Sequence, residues 1–158
     1  MPTLRPYRSG DWSSFLELDL ETGLASIDAA DAADFKVRWP ELLRKVYGWS
    51  EGGPTIGNHT IIGLEDNDGS YAGHLWISER EDFFTGRPEA FVTTVAVVAT
   101  HRGRGFGKLL MNHAIEFARS RGLARIGLGV EAHNAGAIKL YEKLGFRTAR
   151  LSMEMKME

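Results

Sequence analysis

Cysteine is absent from the 158 residues, so the chain can form no disulfide and can offer no thiolate to a metal or a substrate. This fits a reducing cytoplasm, the compartment expected on sequence. Long apolar runs are absent too: nothing approaches the ~20 residues that cross a bilayer, and the first residues lack the apolar core of a leader. No charge of one sign dominates, since 19 Lys+Arg stand against 21 Asp+Glu for a net charge of −2. Neither nucleic acid nor a membrane is therefore expected as a partner. With no internal repeat and no low-complexity linker, one domain over residues 1–158 is expected, long enough to bury about two thirds of its unfolded surface.

Familiar catalytic signatures are missing as well. There is no Gly-x-Ser-x-Gly, and the five histidines show no His-Glu-x-x-His spacing, so neither a serine hydrolase elbow nor a zinc site is expected, and no metal. Two phosphate loops also fail. Lys108 is followed by Leu109 rather than Ser or Thr, which removes the magnesium-binding hydroxyl of a P-loop, and a dinucleotide fingerprint would need its third glycine at Lys108.

What the sequence does contain is concentrated in residues 91–110. A β-branched apolar run from Phe91 to Val98 reads as a buried strand, and a helix opens near Phe106. Between them lie Arg102, Gly103, Arg104 and Gly105, followed by Gly107 and Lys108. Glycines let a ligand approach the main chain, and the free N–H groups of a helix start attract anions. Arg102, Arg104 and Lys108 add cations, so the segment reads as a phosphate cradle. Taken alone it also fits a tight strand-to-helix turn with solvated arginines.

A second stretch runs from Val130 to Phe146. Asn134 can cap a short helix carrying Ile138, Leu140 and Leu144, and Gly145 stops it before Phe146. Tyr141 lies on that helix.

The Arg102-x-x-Gly105-x-Gly107 pattern after Val95-Ala96-Val97 resembles the pyrophosphate-binding motif of the GNAT superfamily of acetyl-CoA-dependent N-acetyltransferases. The Asn134…Ala137…Leu140-Tyr141…Gly145-Phe146 pattern is similar to the C-terminal motif of the same superfamily. The resemblance implies an α/β (α+β) fold whose mixed, mostly antiparallel sheet is flanked by helices and splays open near residues 91–98. It implies that acetyl-CoA lies along Val95, Ala96 and Val97, with the Val95 N–H facing the thioester carbonyl and Val97 pairing with the pantetheine arm. Arg102 and the amides of Gly103, Arg104, Gly105, Phe106, Gly107 and Lys108 would hold the pyrophosphate, and Asn134 would contact the pantetheine. Tyr141 would meet the cofactor sulfur and protonate it as it leaves, since a phenol with a pKa of about 10 remains a donor at neutral pH.

The acceptor would be an amine, on a small molecule or on a protein, and the general base stays open. Some relatives carry a glutamate where this chain has Phe91. Glu89, Glu79 and His74 are near in sequence and chemically able, while Glu131 and His133 fit either the site or a solvated loop. The rival reading is a binding module that senses acyl-CoA without turnover, which Phe91 favours and Tyr141 opposes.

The remaining elements follow from pattern. Thr3 to Arg8 reads as a strand, Asp11 as the cap of a helix carrying Trp12, Phe15, Leu16 and Leu20, and Pro40 as a break in the next helix near Arg38. Thr60 to Leu64 and Tyr71 to Ile77 form a hairpin over Asp68-Gly69. Ile126 to Val130 reads as a strand, and Phe146 to Met157 as a half-buried antiparallel one, with dimerisation through it left open. Trp39, Tyr47 and Trp49 fit either an acceptor wall or the core. Residues 1–90 hold 16 acidic and 8 basic side chains, a charge of −8, against 5 and 11, or +6, in residues 91–158. An acidic acceptor-side half beside a basic acetyl-CoA-side half would draw in a cationic amine.

Overall fold

Apolar side chains at alternate strand positions decide where the sheet sits. In the computed structural model, which describes residues 1–158, the strands β1 (Thr3–Pro6), β2 (Asn58–Glu65), β3 (Tyr71–Glu81), β4 (Pro88–Val97) and β5 (Ile126–Leu128) form one sheet in that order. Neighbours among β1 to β4 are antiparallel, whereas β5 runs parallel to β4. The helices are α1 (Trp12–Ser26), α2 (Ala32–Tyr47), α3 (Phe106–Ser120) and α4 (Ala135–Lys143). None is long and apolar enough to cross a membrane.

β3 is buried on both faces, which makes it the middle of three layers. Its Leu75 and Ile77 join Leu110, Met111 and Ala114 of α3 in the larger core, where the helical spacing of those three supplies the apolar stripe. On the other face Trp76 packs with Phe15 of α1, Leu43 of α2, Trp49 and Ile61. His74 lies on this second face, fully buried, its ring stacked on Phe15 at 4.2 Å. The β2–β3 hairpin closes where expected, with Gly69 at φ +81° in the left-handed region that glycine enters without strain.

Four expectations are corrected. The Asp11 side chain caps no amide of α1; it receives the Arg8 N–H and a two-pronged Arg5 guanidinium at 2.6 and 2.7 Å, so ion pairing outcompetes capping. α2 runs unbroken through Pro40. Proline removes one hydrogen bond and costs about 3 kcal/mol in a helix interior, but Phe35 and Trp39 before it and Leu43 and Tyr47 after it pin both halves against the protein. β5 ends at Leu128, two residues early. Phe146 to Met157 forms no strand: Leu151, Met153 and Met155 are 83, 92 and 82% exposed. The tail bridges instead through Arg150 to Asp82 and Lys156 to Asp28, both at 3.0 Å, because β5 presents only three residues of edge.

Candidate active site

The cleft begins where β4 and β5 separate. Their pairing covers only Ala90, Phe91 and Val92 against Ile126, Gly127 and Leu128. On the other side of β4, Trp76 faces Thr94 and Ile77 faces Val92, which leaves Thr93 as an extra residue. Such a bulge reverses the side to which later backbone groups point. The Val98 N–H bonds to the Ala72 carbonyl at 2.9 Å, so by alternation Ala96 also faces β3, and Val95 and Val97 face the side that β5 has left. The Val97 carbonyl is taken by Arg102 Nε at 3.0 Å. The amides of Val95 and Val97 thus remain as donors in an open cleft, a match for the carbonyl acceptors of a pantetheine arm. Ala96, by contrast, turns its backbone into the sheet.

Past β4 the chain makes a short turn over Ala99–His101 and enters α3 through two left-handed glycines, Gly103 at φ +76° and Gly105 at φ +82°. A Cβ at either would meet nothing within 4 Å, so glycine is required by backbone conformation and not by crowding. Gly105 is the N-cap of the 15-residue α3 and supplies no side chain. The amides of Phe106, Gly107 and Lys108 therefore lack helical acceptors and are available to donate to an anion. Two of the three expected cations are already paired: Arg102 with Glu21 at 3.1 Å and Arg104 with Asp66 at 2.6 Å. The Arg104 guanidinium holds the Asp66 carboxyl at a pKa of about 2. Lys108 stands exposed with no acidic partner.

Tyr141 and Asn134 line the same cavity as Val95, a space of about 520 Å³. Asn134 caps α4 by accepting the Ala137 N–H at 3.2 Å, which leaves its amide nitrogen free. The Tyr141 ring packs partly against the larger core, and burial pushes its phenol above the ordinary value of 10. Its hydroxyl has no partner within the chain, so it is free to donate.

Phe91, at the position where some relatives carry a glutamate, is covered by the Arg80 guanidinium at 3.6 Å from its ring centre. Glu89 is paired to Arg80 at 2.9 Å and Glu79 to Arg121 at 3.3 Å. Glu89 lies six residues before Val95 along β4, about 20 Å away. Glu131 lines the cavity, whereas His133 is exposed. His74 is the informative one. Its Nε2 lies 2.9 Å from Asp19 Oδ1, its Nδ1 lies 2.7 Å from the Tyr71 hydroxyl, and the Trp39 indole N–H donates to Asp19 Oδ2 at 2.9 Å. As a carboxylate Asp19 can only accept, so the His74 Nε2–H donates to it, while Nδ1 and the Tyr71 hydroxyl share the second hydrogen bond. Burial raises the Tyr71 phenol well above its usual range.

Sequence reasoning missed Asp19, Thr22, Phe35 and Thr94, all on the cavity wall. The one available signal was Asp19 four residues after Phe15, a carboxylate on the apolar stripe of α1. Of the three aromatics left between wall and core, Trp39 lines the cavity, while Tyr47 and Trp49 pack in the smaller core.

A mixed sheet parted beside a glycine-rich helix start is the architecture of an acetyltransferase fold. The model of the Acetyltransferase (GNAT) family matches residues 24–146, and the chain belongs to that family. It is 32% identical over 100 residues to the uncharacterized N-acetyltransferase YycN of Bacillus subtilis, covering 63% of each chain. It is 41% identical over 63 residues to the [ribosomal protein bS18]-alanine N-acetyltransferase of Escherichia coli K12, covering 40% of this chain and 43% of that one. The match thus spans just under two thirds of the length of YycN and less of the bS18 enzyme. A solved structure from Pyrococcus furiosus, provisionally called an acetyl transferase, superposes with a TM-score of 0.83 at 25% identity over 99% of this chain and all of that one.

Proposed function

We propose that the protein transfers an acetyl group from acetyl-CoA to a primary amine by direct attack within a ternary complex. The observation that carries this reading is the parting of β4 from β5 after Val92, which leaves Val95 and Val97 without a strand partner on that side and opens the cavity that Val95 and Tyr141 both line. In the reaction the amine nitrogen forms a bond to the thioester carbonyl carbon, the carbon–sulfur bond breaks, and CoA leaves as a thiol. The Val95 N–H stabilises the carbonyl oxygen as it gains charge, an effect of ~3 kcal/mol for donors of this kind. Tyr141 gives the departing sulfur a proton, and the proton that the neutral amine sheds on forming the amide restores the phenol. The Gly103 to Lys108 amides and Arg102 hold the pyrophosphate, and Asn134 steadies the arm. Residues 91–158 then form the acetyl-CoA side and residues 1–90 the acceptor side. The acceptor is an amine on a small molecule or a protein; the bS18 relative is named for a protein one.

Calorimetric titration with acetyl-CoA tests this. Wild type is expected to bind at micromolar concentration, and both Arg102→Ala and Gly105→Val to lose binding, the second because a β-branched residue is strained at φ +82°. Amine-dependent release of CoA thiol then reads turnover. No binding at millimolar acetyl-CoA overturns the proposal.

A further inference from the structure

A line of three side chains crosses the sheet from the cavity wall to β2. The Thr93 hydroxyl lies 2.9 Å from the Ser78 hydroxyl, and Ser78 Oγ lies 2.8 Å from His59 Nδ1. Each bond has a direction that its neighbours impose. His59 Nε2 lies 2.9 Å from the Ile56 carbonyl, which can only accept, so Nε2 carries a proton. The Trp76 indole N–H, which can only donate, meets Nδ1 at 3.0 Å, so Nδ1 carries none. The ring is neutral, and burial holds its pKa below the ordinary histidine value. Ser78 must then donate to Nδ1 and, having one proton, accept from Thr93. Thr93 Oγ1 is left with lone pairs that no donor of the chain meets. Thr93 is partly exposed and lines the cavity together with Val95 and Tyr141. Its partner Ser78 shares a face of β3 with Trp76, the face packed by α1 and α2, and those two helices supply Gly23 and Phe35 to the cavity wall.

Building on the acetyl-transfer reading above, we propose that Thr93, Ser78 and His59 form a proton wire that takes from the acceptor ammonium the proton it must lose before its nitrogen attacks. The ammonium donates to Thr93 Oγ1. Its proton passes to Thr93 as the Thr93 proton passes to Ser78 and the Ser78 proton to His59 Nδ1. The nitrogen keeps its electron pair and becomes a neutral amine, while the imidazole becomes an imidazolium. Burial disfavours both cations, which brings their proton affinities closer. Protonation also takes the Nδ1 lone pair from the Trp76 N–H, so the imidazolium is a short-lived store. Once the amide has left, the wire runs back and delivers the proton to water, restoring the starting direction of both hydroxyls. This proton is separate from the one that restores Tyr141. Thr93 precedes Val95 by two residues, roughly 7 Å along β4, room for an amine nitrogen and the carbonyl it attacks. Thr93 touches the amine; Ser78 and His59 act through it.

The test compares two acceptors in steady-state thiol release: 2-phenylethylamine, cationic at pH 7, and O-benzylhydroxylamine, nearly the same shape but neutral there. Thr93→Val and Ser78→Ala cut the wire, whereas His59→Asn keeps an acceptor for Ser78 and Trp76 that cannot hold the proton. Each is expected to lower kcat/KM for the amine about 100-fold at pH 7 and to leave the neutral acceptor within about twofold. Between pH 7 and 9 the deficit is expected to shrink by about tenfold per unit, as free amine forms in solution. The titratable side chain packed on the His59 ring is Tyr47, edge-on at 5.3 Å; Asp19, Glu131 and Tyr141, which share the cavity, are common to all the proteins compared. Equal losses with both acceptors show a packing role and overturn the proposal. Wild-type rates with the amine overturn it too, as does no turnover of either acceptor by protein that binds acetyl-CoA. Nitrogen NMR of isotopically labelled histidine in the wild type is expected to show His59 protonated at Nε2 alone at pH 7, and a proton on Nδ1 overturns the wire. Failure to bind acetyl-CoA refutes the acetyl-transfer reading instead, and the NMR measurement then still decides the direction of the wire.

Discussion

Tyr141 and Asp19 line one cavity and reached it by different routes. The phenol of Tyr141 is raised by burial, so it keeps its proton to higher pH than an ordinary phenol. Any alkaline loss of turnover from this group is therefore expected at a higher pH than an exposed phenol would give. Tyr141→Phe is expected to lower turnover on the order of a hundredfold while acetyl-CoA affinity stays the same; equal turnover in steady-state assays across pH removes Tyr141 from the acid role. Since its hydroxyl bonds to nothing in the chain, the change leaves no orphaned partner and stability is expected to move by about 0.5 kcal/mol at most. Tyr141 and Asn134 were legible in sequence because their setting is local: Asn134 caps a helix through an amide three residues on. Asp19 was not, because the groups that give it meaning, Trp39 and His74, lie 20 and 55 residues away. Only folding brings them together.

At the scale of elements, β4 does most to shape the cleft, and β3 dictates where it runs. Gly73 of β3 sits opposite Val97, and a Cβ there would lie 2.5 Å from the Ala96 carbonyl oxygen, a backbone atom that cannot rotate away. Gly73→Ala must push β4 outward. A loss of about 1–3 kcal/mol in urea unfolding is expected, with weaker acetyl-CoA binding because the displaced stretch carries Val95 and Val97. Unchanged stability would mean that β4 has room to yield. The strands, α3 and α4 were readable from alternation, helical spacing and glycine stops. The errors came where tertiary contacts overrule local rules: aromatic anchoring carries α2 through Pro40, Arg5 diverts Asp11 from its helix, and no sheet edge receives the apolar alternation after Phe146. The bulge at Thr93, which turns Val95 and Val97 outward, has no signature in the residue types alone.

Across the whole molecule, the uneven charge along the sequence resolves into contacts between its halves. Arg102 meets Glu21, Arg104 meets Asp66, Arg121 meets Glu79, Arg125 and Arg150 meet Asp82, and Lys156 meets Asp28. Five of the 16 acidic side chains of residues 1–90, Glu21, Asp28, Asp66, Glu79 and Asp82, are thus tied to the basic half and are less available to draw in an amine. The exposed tail has a separate consequence, in oxidation chemistry. Met1, Met153, Met155 and Met157 are 97, 92, 82 and 83% exposed, whereas Met111 is 0% exposed behind α3. Peroxide reaches thioethers that water reaches. Intact-mass measurement is expected to show four oxygen atoms added quickly and a fifth only as fast as the domain opens, so the fifth reports unfolding under native conditions. Five additions at one common rate would show that the core beneath α3 is not closed.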